Sequence, residues 1–390
     1  LSAPADRAPP PGRLLGHTQS QHLDVLRGIA AQLVLLHHTC AYFLPRSGID
    51  QLGLGALGVL VFFLLSGFLI TDSIAARAAV SGFSLPDFMI SRFSRIFTAY
   101  VPAILLVAVV DHFIVGRPGY DYAADYNLRT GIANLFMLQD FPIFQILRRL
   151  HVHEQWWFFR EFGSGRQFWT VSVEWWIYVI AGLGALYVLR RRRPGVVMTV
   201  VLVAAAIAPA YHLIGGPGDS LTGDWLIGAA ACLAYRRWAL SRPGLTGRGA
   251  AVAWGVALLL ACARLLFTRL RIYDPIFAAL LAVVLFLPLA ICAGRARVWW
   301  TRLGVQRSAF HSYSLYLTHL PLLTWFYVDY GQRFPGWSGL LIVLVGANVF
   351  AIGFAWLFER PHKLVRRRLL AAWTRLQHGR AAPSPSLVGR

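Results

Sequence analysis

The chain has 390 residues, of which 57% are hydrophobic and only 14% charged, against about 25% charged in a soluble globular protein. Its 37 basic residues outnumber 17 acidic ones for a net charge of +20, but the apolar excess argues against a nucleic-acid partner and for a basic face on anionic lipid. An ordinary soluble enzyme is therefore excluded. The apolar residues fall in blocks of about 20, the length at which a helix crosses a bilayer, so the sequence predicts an all-α integral membrane protein.

Residues 1–20 are rich in Pro, Ala and polar groups and carry no apolar signal core, and they read as a disordered cytoplasmic tail. About ten transmembrane helices follow, at 23–44, 54–72, 93–115, 169–189, 195–214, 222–238, 250–267, 275–293, 310–328 and 338–358. Together they make a membrane domain over 21–362. An even number of spans puts both termini on one side. That side collects most of the arginines, including the run Arg190 to Arg193 and the pair Arg236 and Arg237, so it is expected to be cytoplasmic.

Between spans three and four lies a segment of about 115–168, far longer than an ordinary connection and expected on the non-cytoplasmic side. It mixes Asp121, Asp125, Asp140, Glu154 and Glu161 with the aromatic cluster Trp156, Trp157, Phe158 and Phe159. Aromatic faces beside acids suit sugar rings, and they equally suit a lid at the headgroup interface. Its apolar block 131–138 is too short to cross. The stretch 363–390 starts as a basic amphipathic segment with Arg366, Arg367, Arg368 and Trp373, expected on the inner leaflet. Cys40, Cys232, Cys262 and Cys292 show neither paired nor metal-ligand spacing, so no disulfide framework and no metal are expected.

An ionisable group inside a span is costly, which makes Asp24, Arg27, His37, His38, Arg92, Arg95, Glu174, His319 and Glu359 the informative residues. On the first span, Arg27 and His38 lie about 20° apart around the helix and about 16 Å apart along it, whereas His37 points about 80° away. One stripe thus carries a guanidinium at the cytoplasmic mouth and an imidazole deeper in. The imidazole suits general-base work; the bland alternative is a snorkelling Arg and a His bonded to a neighbouring helix. Ser66-Gly67 on the second span reads first as a close helix contact, because nothing is spaced to make Ser66 a nucleophile. Arg92 and Arg95 share one face of the third span, as anchors or as forks for phosphate oxygens. Glu174 sits among Trp169, Trp175 and Trp176 beyond Ser172, either partnering a buried cation or facing a substrate hydroxyl. Ser312, Tyr316 and His319 share a face of the ninth span, and Glu359 reads as an ion-pair partner where Pro361 ends the tenth.

Seven stretches, LDVLRGIAAQLVLLHH, GVLVFFLLSGFLIT, ISRFSRIFTAY, ANLFMLQ, FWTVSVEWWIY, SYSLYLTHLPL and FERP, resemble the acyltransferase 3 family in content and order, over about 21–362. The resemblance implies a ten-helix membrane domain, and the Arg- and Ala-rich, Lys-poor composition points to a bacterial chain, expected in the cytoplasmic (inner) membrane. Such a domain moves an acyl group, most often acetyl, from cytoplasmic acyl-CoA to a hydroxyl of a carbohydrate or glycan precursor. The family's arginine and histidine separated by ten residues fall on Arg27 and His38, with His38 as base or acyl relay. Its arginine pair falls on Arg92 and Arg95, its serine-glycine motif on Ser66 and Gly67, and its loop-end acid on Glu174. Leu60 replaces the family's usual Asp, and Thr98 its usual Pro. On this reading Arg27, Arg92, Arg95 and Ser66 hold the donor, with Glu174 beside the chemistry and Trp169, Ser172, Tyr316 and His319 around the acceptor. The rival class is a proton-coupled transporter or flippase, against which stands the lack of any internal repeat. Oligomeric state is left open by the sequence.

Overall fold

The computed structural model describes residues 14–80, 82–139, 141, 159–190, 195–214, 220–241, 247–291 and 309–380. Among these residues the secondary structure is helical, without strands. The order is α1 (His17–Phe43), α2 (Leu54–Val80), α3 (Leu85–Ile114), α4 (Leu128–Leu135), α5 (Phe168–Arg190), α6 (Val196–Ile214), α7 (Leu221–Ser241), α8 (Gly247–Phe267), α9 (Pro275–Ile291), α10 (Ser312–Tyr330), α11 (Trp337–Phe354) and α12 (His362–Arg380).

Among the described residues, six stretches are long and apolar enough to cross a membrane: Leu54–Val80, Leu85–Ile114, Phe168–Leu189, Val196–Leu213, Arg248–Phe267 and Trp337–Gln377. Helix α9 is apolar but shorter, and α1, α7 and α10 are diluted by Asp24, Arg27, Asp224, Arg236 and His319. Helix ends outrun the apolar blocks. Helix α1 starts at His17, inside the stretch expected to be a tail, α2 runs on to Val80, and α3 begins at Leu85. Hydropathy marks where hydrocarbon would lie, whereas a helix continues through polar turns until it is capped. The α3 cap is Ser84, whose Oγ accepts from Asp87 N, with Pro86 in the first turn.

Helix α2 is the central rod, packed along both α1 and α7. Gly67 and Gly228 bring α2 and α7 to backbone contact: a Cβ on Gly67 would overlap the carbonyl of Trp225, and one on Gly228 would overlap that of Leu64. One apolar core gathers around Phe88, Tyr100 and Phe168, joining α3 to α5, and another around Leu64, Phe68 and Phe286, joining α2 to α9. Helix α10 packs on α1, α3 and α11. Beyond α11 the backbone widens into a π-turn over Ala355–Glu359 and turns at Pro361. The predicted basic tail then forms α12, which lies against α3.

Candidate active site

Two cavities meet in the middle of this bundle. The first, of about 160 Å³, is lined by Arg27 from α1, Ser66 from α2, Arg92 and Arg95 from α3, Glu174 and Tyr178 from α5, and Tyr313 and Tyr316 from α10, among others. Its cations differ in how far they are committed. Arg27 Nη1 pairs with Asp24 at 3.3 Å. Arg95 Nη1 pairs with Glu359 Oε1 at 2.8 Å, while the other Glu359 oxygen accepts from Ser314 N and Oγ. Arg92 has no carboxylate partner among the described residues. It lies over the rings of Phe88 and Tyr178, and its Nε is buried without an acceptor.

Opposite the arginines runs a chain of donors. Trp225 Nε1 donates to Ser66 Oγ at 3.2 Å, Ser66 Oγ lies 3.0 Å from Tyr178 Oη, and Tyr178 Oη donates to Glu174. Ser66 thus joins Trp225 to the Tyr178–Glu174 pair, and its polar atom is satisfied as the buried location demands. Glu174 belongs to this arginine cavity and makes no hydrogen bond to His38.

The second cavity, of about 320 Å³, is lined by His37, His38, Gly55, Glu161, Arg166, Gln167, Trp169 and Tyr273, and by Val59 and Tyr316. Val59 and Tyr316 line both cavities and form the wall between them. The Tyr316 hydroxyl is held by Thr170 Oγ1 and the carbonyl of Gln167.

Behind His38 stands His319, buried on α10, with ring centroids 5.1 Å apart. His319 Nδ1 faces the carbonyls of Leu315 and Tyr316 at 3.1 and 2.8 Å. Carbonyls only accept, so Nδ1 carries the hydrogen of the neutral ring and Nε2 is an acceptor. That Nε2 lies 3.1 Å from His38 Nδ1, which is also 3.0 Å from the carbonyl of Val34. His38 Nδ1 therefore faces two acceptors and must itself carry hydrogen. This tautomer, assigned from the network, leaves the lone pair on His38 Nε2. His37 instead packs its ring against Gly55, where a Cβ would overlap it.

The long connection between α3 and α5 is pinned to the same cavity by buried polar contacts. Asp111 at the end of α3 accepts from Tyr120 Oη and from both N and Oγ of Ser164. Asn134 of α4 bonds the carbonyl of Arg160 and the amide of Phe162, and Gln139 bonds Tyr100 Oη and the carbonyl of Phe168. Arg166 pairs with Glu161 at 2.7 Å and Asp125 at 3.3 Å. Trp156, Trp157 and Phe158 lie outside the described residues, and Phe159 sits under the guanidinium of Arg129.

Of the residues singled out by sequence, Arg27, Ser66, Arg92, Arg95, Glu174 and Tyr316 line the arginine cavity, and His38, Trp169 and Tyr316 the histidine cavity. Ser172 and His319 line neither. The turn of α5 directs Ser172 Oγ to the carbonyl of Met137, and α10 holds His319 behind His38. Sequence reasoning missed Tyr178, although it lies one helical turn from Glu174, and it missed the pairing of His319 with His38, which joins helices far apart in the chain.

A family model described as "Acyltransferase domain", that of acyltransferase 3, matches residues 21–360. The chain belongs to the acyltransferase 3 family. An O-acetyl transferase of Shigella phage Sf6 is 29% identical over 197 residues, which cover 48% of this chain and 53% of the relative. The chain thus spans about half the length of that relative. No solved structure matches it. Within this acyltransferase 3 member, both cavities and the wall between them are built from residues inside the matched region.

Proposed function

We propose that this acyltransferase is a membrane O-acyltransferase that uses the arginine cavity for acyl-CoA, most simply acetyl-CoA, and the histidine cavity for the hydroxyl of a carbohydrate or glycan precursor. The observation that carries this reading is the shared wall of Val59 and Tyr316, with the uncommitted guanidinium of Arg92 on one side and a base-ready imidazole on the other. A guanidinium without a carboxylate suits a phosphate oxygen. The acetyl group is the one named for the Shigella phage relative.

In this mechanism the donor's phosphates rest on Arg92, with Arg27 and Arg95 beside it, and the pantetheine arm passes the Tyr316 wall to bring the thioester to His38. His38 Nε2 takes the proton of the acceptor hydroxyl as its oxygen attacks the thioester carbonyl. The carbon–sulfur bond then breaks, and the leaving thiolate recovers the proton from His38. Nδ1–H of His38, held by the Val34 carbonyl and His319, keeps the ring in the reactive tautomer. Glu174 and Ser66 act through Tyr178 to shape the donor cavity. Trp169, with Glu161 and Arg166, offers an aromatic face and polar groups to a sugar.

Ten helices (α1 to α3 and α5 to α11) then cross the bacterial inner membrane, with both termini and the arginine cavity toward the cytoplasm. The connection between α3 and α5 lies on the opposite side, and α12 rests on the inner leaflet. The test is thiol release from acetyl-CoA by the purified protein. His38→Ala is expected to lower the rate by about 10²- to 10⁴-fold, the usual worth of a general base, with His37→Ala close to wild type. If neither substitution slows release, the catalytic assignment is wrong, and gradient-driven flux through the protein becomes the measurement to make.

A further inference from the structure

The arginines do not stop at the rim of the donor cavity. On α2, Ser66 and Arg77 are separated by eleven positions, about 20° around the helix and about 16 Å along it. Arg77 therefore continues the face that lines the cavity rather than turning to lipid. It is half-buried, its Nη1 is buried with no hydrogen-bond acceptor, and it makes no ion pair among the described residues. Arg366 of α12 is within electrostatic reach of Arg77, and its Nε is likewise buried with no acceptor. Arg77 in turn acts on Arg92. Among the described residues the acid that acts on Arg77 is Asp87, which is exposed. Three guanidiniums with unused buried N–H groups thus run from the cavity to its mouth, at Arg92, Arg77 and Arg366. Buried donors are nearly always satisfied in a working protein, and like charges cluster where an anion joins them.

We propose that Arg77 and Arg366 form a second anion subsite, for a phosphomonoester carried by the same ligand whose diphosphate rests on Arg92. In acyl-CoA that group is the 3′-phosphate of the ribose. This assignment rests on the acyl-CoA reading and extends it to what the enzyme selects in a donor. A phosphomonoester brings about −1.5 to −2 charge and three acceptor oxygens, enough to join two forks. Lipid phosphate has the same chemistry, but the neighbours Arg367 and Arg368 face outward and are exposed, whereas Arg366 turns in toward α2. The helix that the sequence reads as a membrane anchor thereby lends one residue to the donor site.

The experiment compares acetyl-CoA with its 3′-dephospho form. The wild-type enzyme is expected to favour the phosphorylated donor by about 10- to 100-fold in kcat/KM, in line with charge-assisted hydrogen bonds. Arg77→Gln and Arg366→Gln should each reduce that ratio severalfold, and together bring it close to one. As a check that needs no variant, adenosine 3′,5′-bisphosphate should bind the wild-type protein at least tenfold more tightly than ADP. Equal use of both donors, or a ratio untouched in the double variant, overturns the subsite while acetyl-CoA turnover leaves the acyl-CoA reading standing. A rate that depends on phosphatidylglycerol in nanodiscs, and loses that dependence in the variants with the donor ratio intact, assigns the arginines to lipid and also overturns it. Failure of the wild type to bind either acetyl-CoA or the bisphosphate overturns both readings at once.

Discussion

The two cavities solve the problem of polarity inside a bundle in opposite ways. The arginine cavity uses permanent charges, two of them paired with Asp24 and Glu359, and leaves Arg92 open. The histidine cavity is lined by His38 and backed by His319, two rings whose hydrogens are fixed by the backbone carbonyls of Val34, Leu315 and Tyr316. Unpaired charge is costly at membrane depth, whereas a neutral imidazole is not. The arginine cavity thus keeps one guanidinium without a carboxylate among the described residues, whereas the charges lining the histidine cavity, Arg166 and Glu161, neutralise each other.

Four substitutions sharpen or break this contrast. The largest effect is expected at His319→Ala, which removes the acceptor that helps hold hydrogen on His38 Nδ1. A loss of about 10- to 100-fold in kcat, the range seen when an orienting partner of a metal-bound imidazole is removed, should come with little change in KM for acetyl-CoA. A loss confined to thermal stability would show that His319 only packs. Next comes a crossed pair: Arg92→Gln should raise KM for acetyl-CoA about tenfold or more and leave that of the acceptor unchanged, whereas Trp169→Ala should raise the acceptor KM about three- to tenfold and spare the donor. Both substitutions acting on the same substrate would merge the two cavities into one site. The smallest effect belongs to Tyr316→Phe, which keeps the ring of the dividing wall and loses the hydroxyl contacts to Thr170 and Gln167. Its cost should be about 1 kcal/mol, read from thermal unfolding in detergent, with turnover close to wild type. A hundredfold fall in turnover would instead make this hydroxyl an oxyanion donor.

Much of this architecture is legible in the sequence because bilayer length and helical period are strict. The Arg27–His38 stripe on α1 follows from 100° per residue alone, and each arginine expected at the donor end lines one cavity. Long-range partners are what a single sequence does not carry. Nothing local pairs His319 with His38, or Glu359 with Arg95, because each pair joins helices from opposite ends of the chain. For Glu174 the sequence leaves open a buried cation or a substrate hydroxyl as its partner. The turn of α5 sends it to Tyr178 and the arginines, a direction set by packing against α2 and α3. The basic amphipathic segment expected after residue 362 is the helix α12, because its arginines and its Leu and Trp residues recur at helical spacing.

The π-turn at Ala355–Glu359 has a consequence for how the protein is made. The widened turn delivers Glu359 to Arg95 of α3 and to Ser314 of α10. Until α11 and this turn are seated in the bundle, Arg95 is without its carboxylate. Seating that turn therefore ties the C-terminal helices to α3 and neutralises a guanidinium inside the bundle.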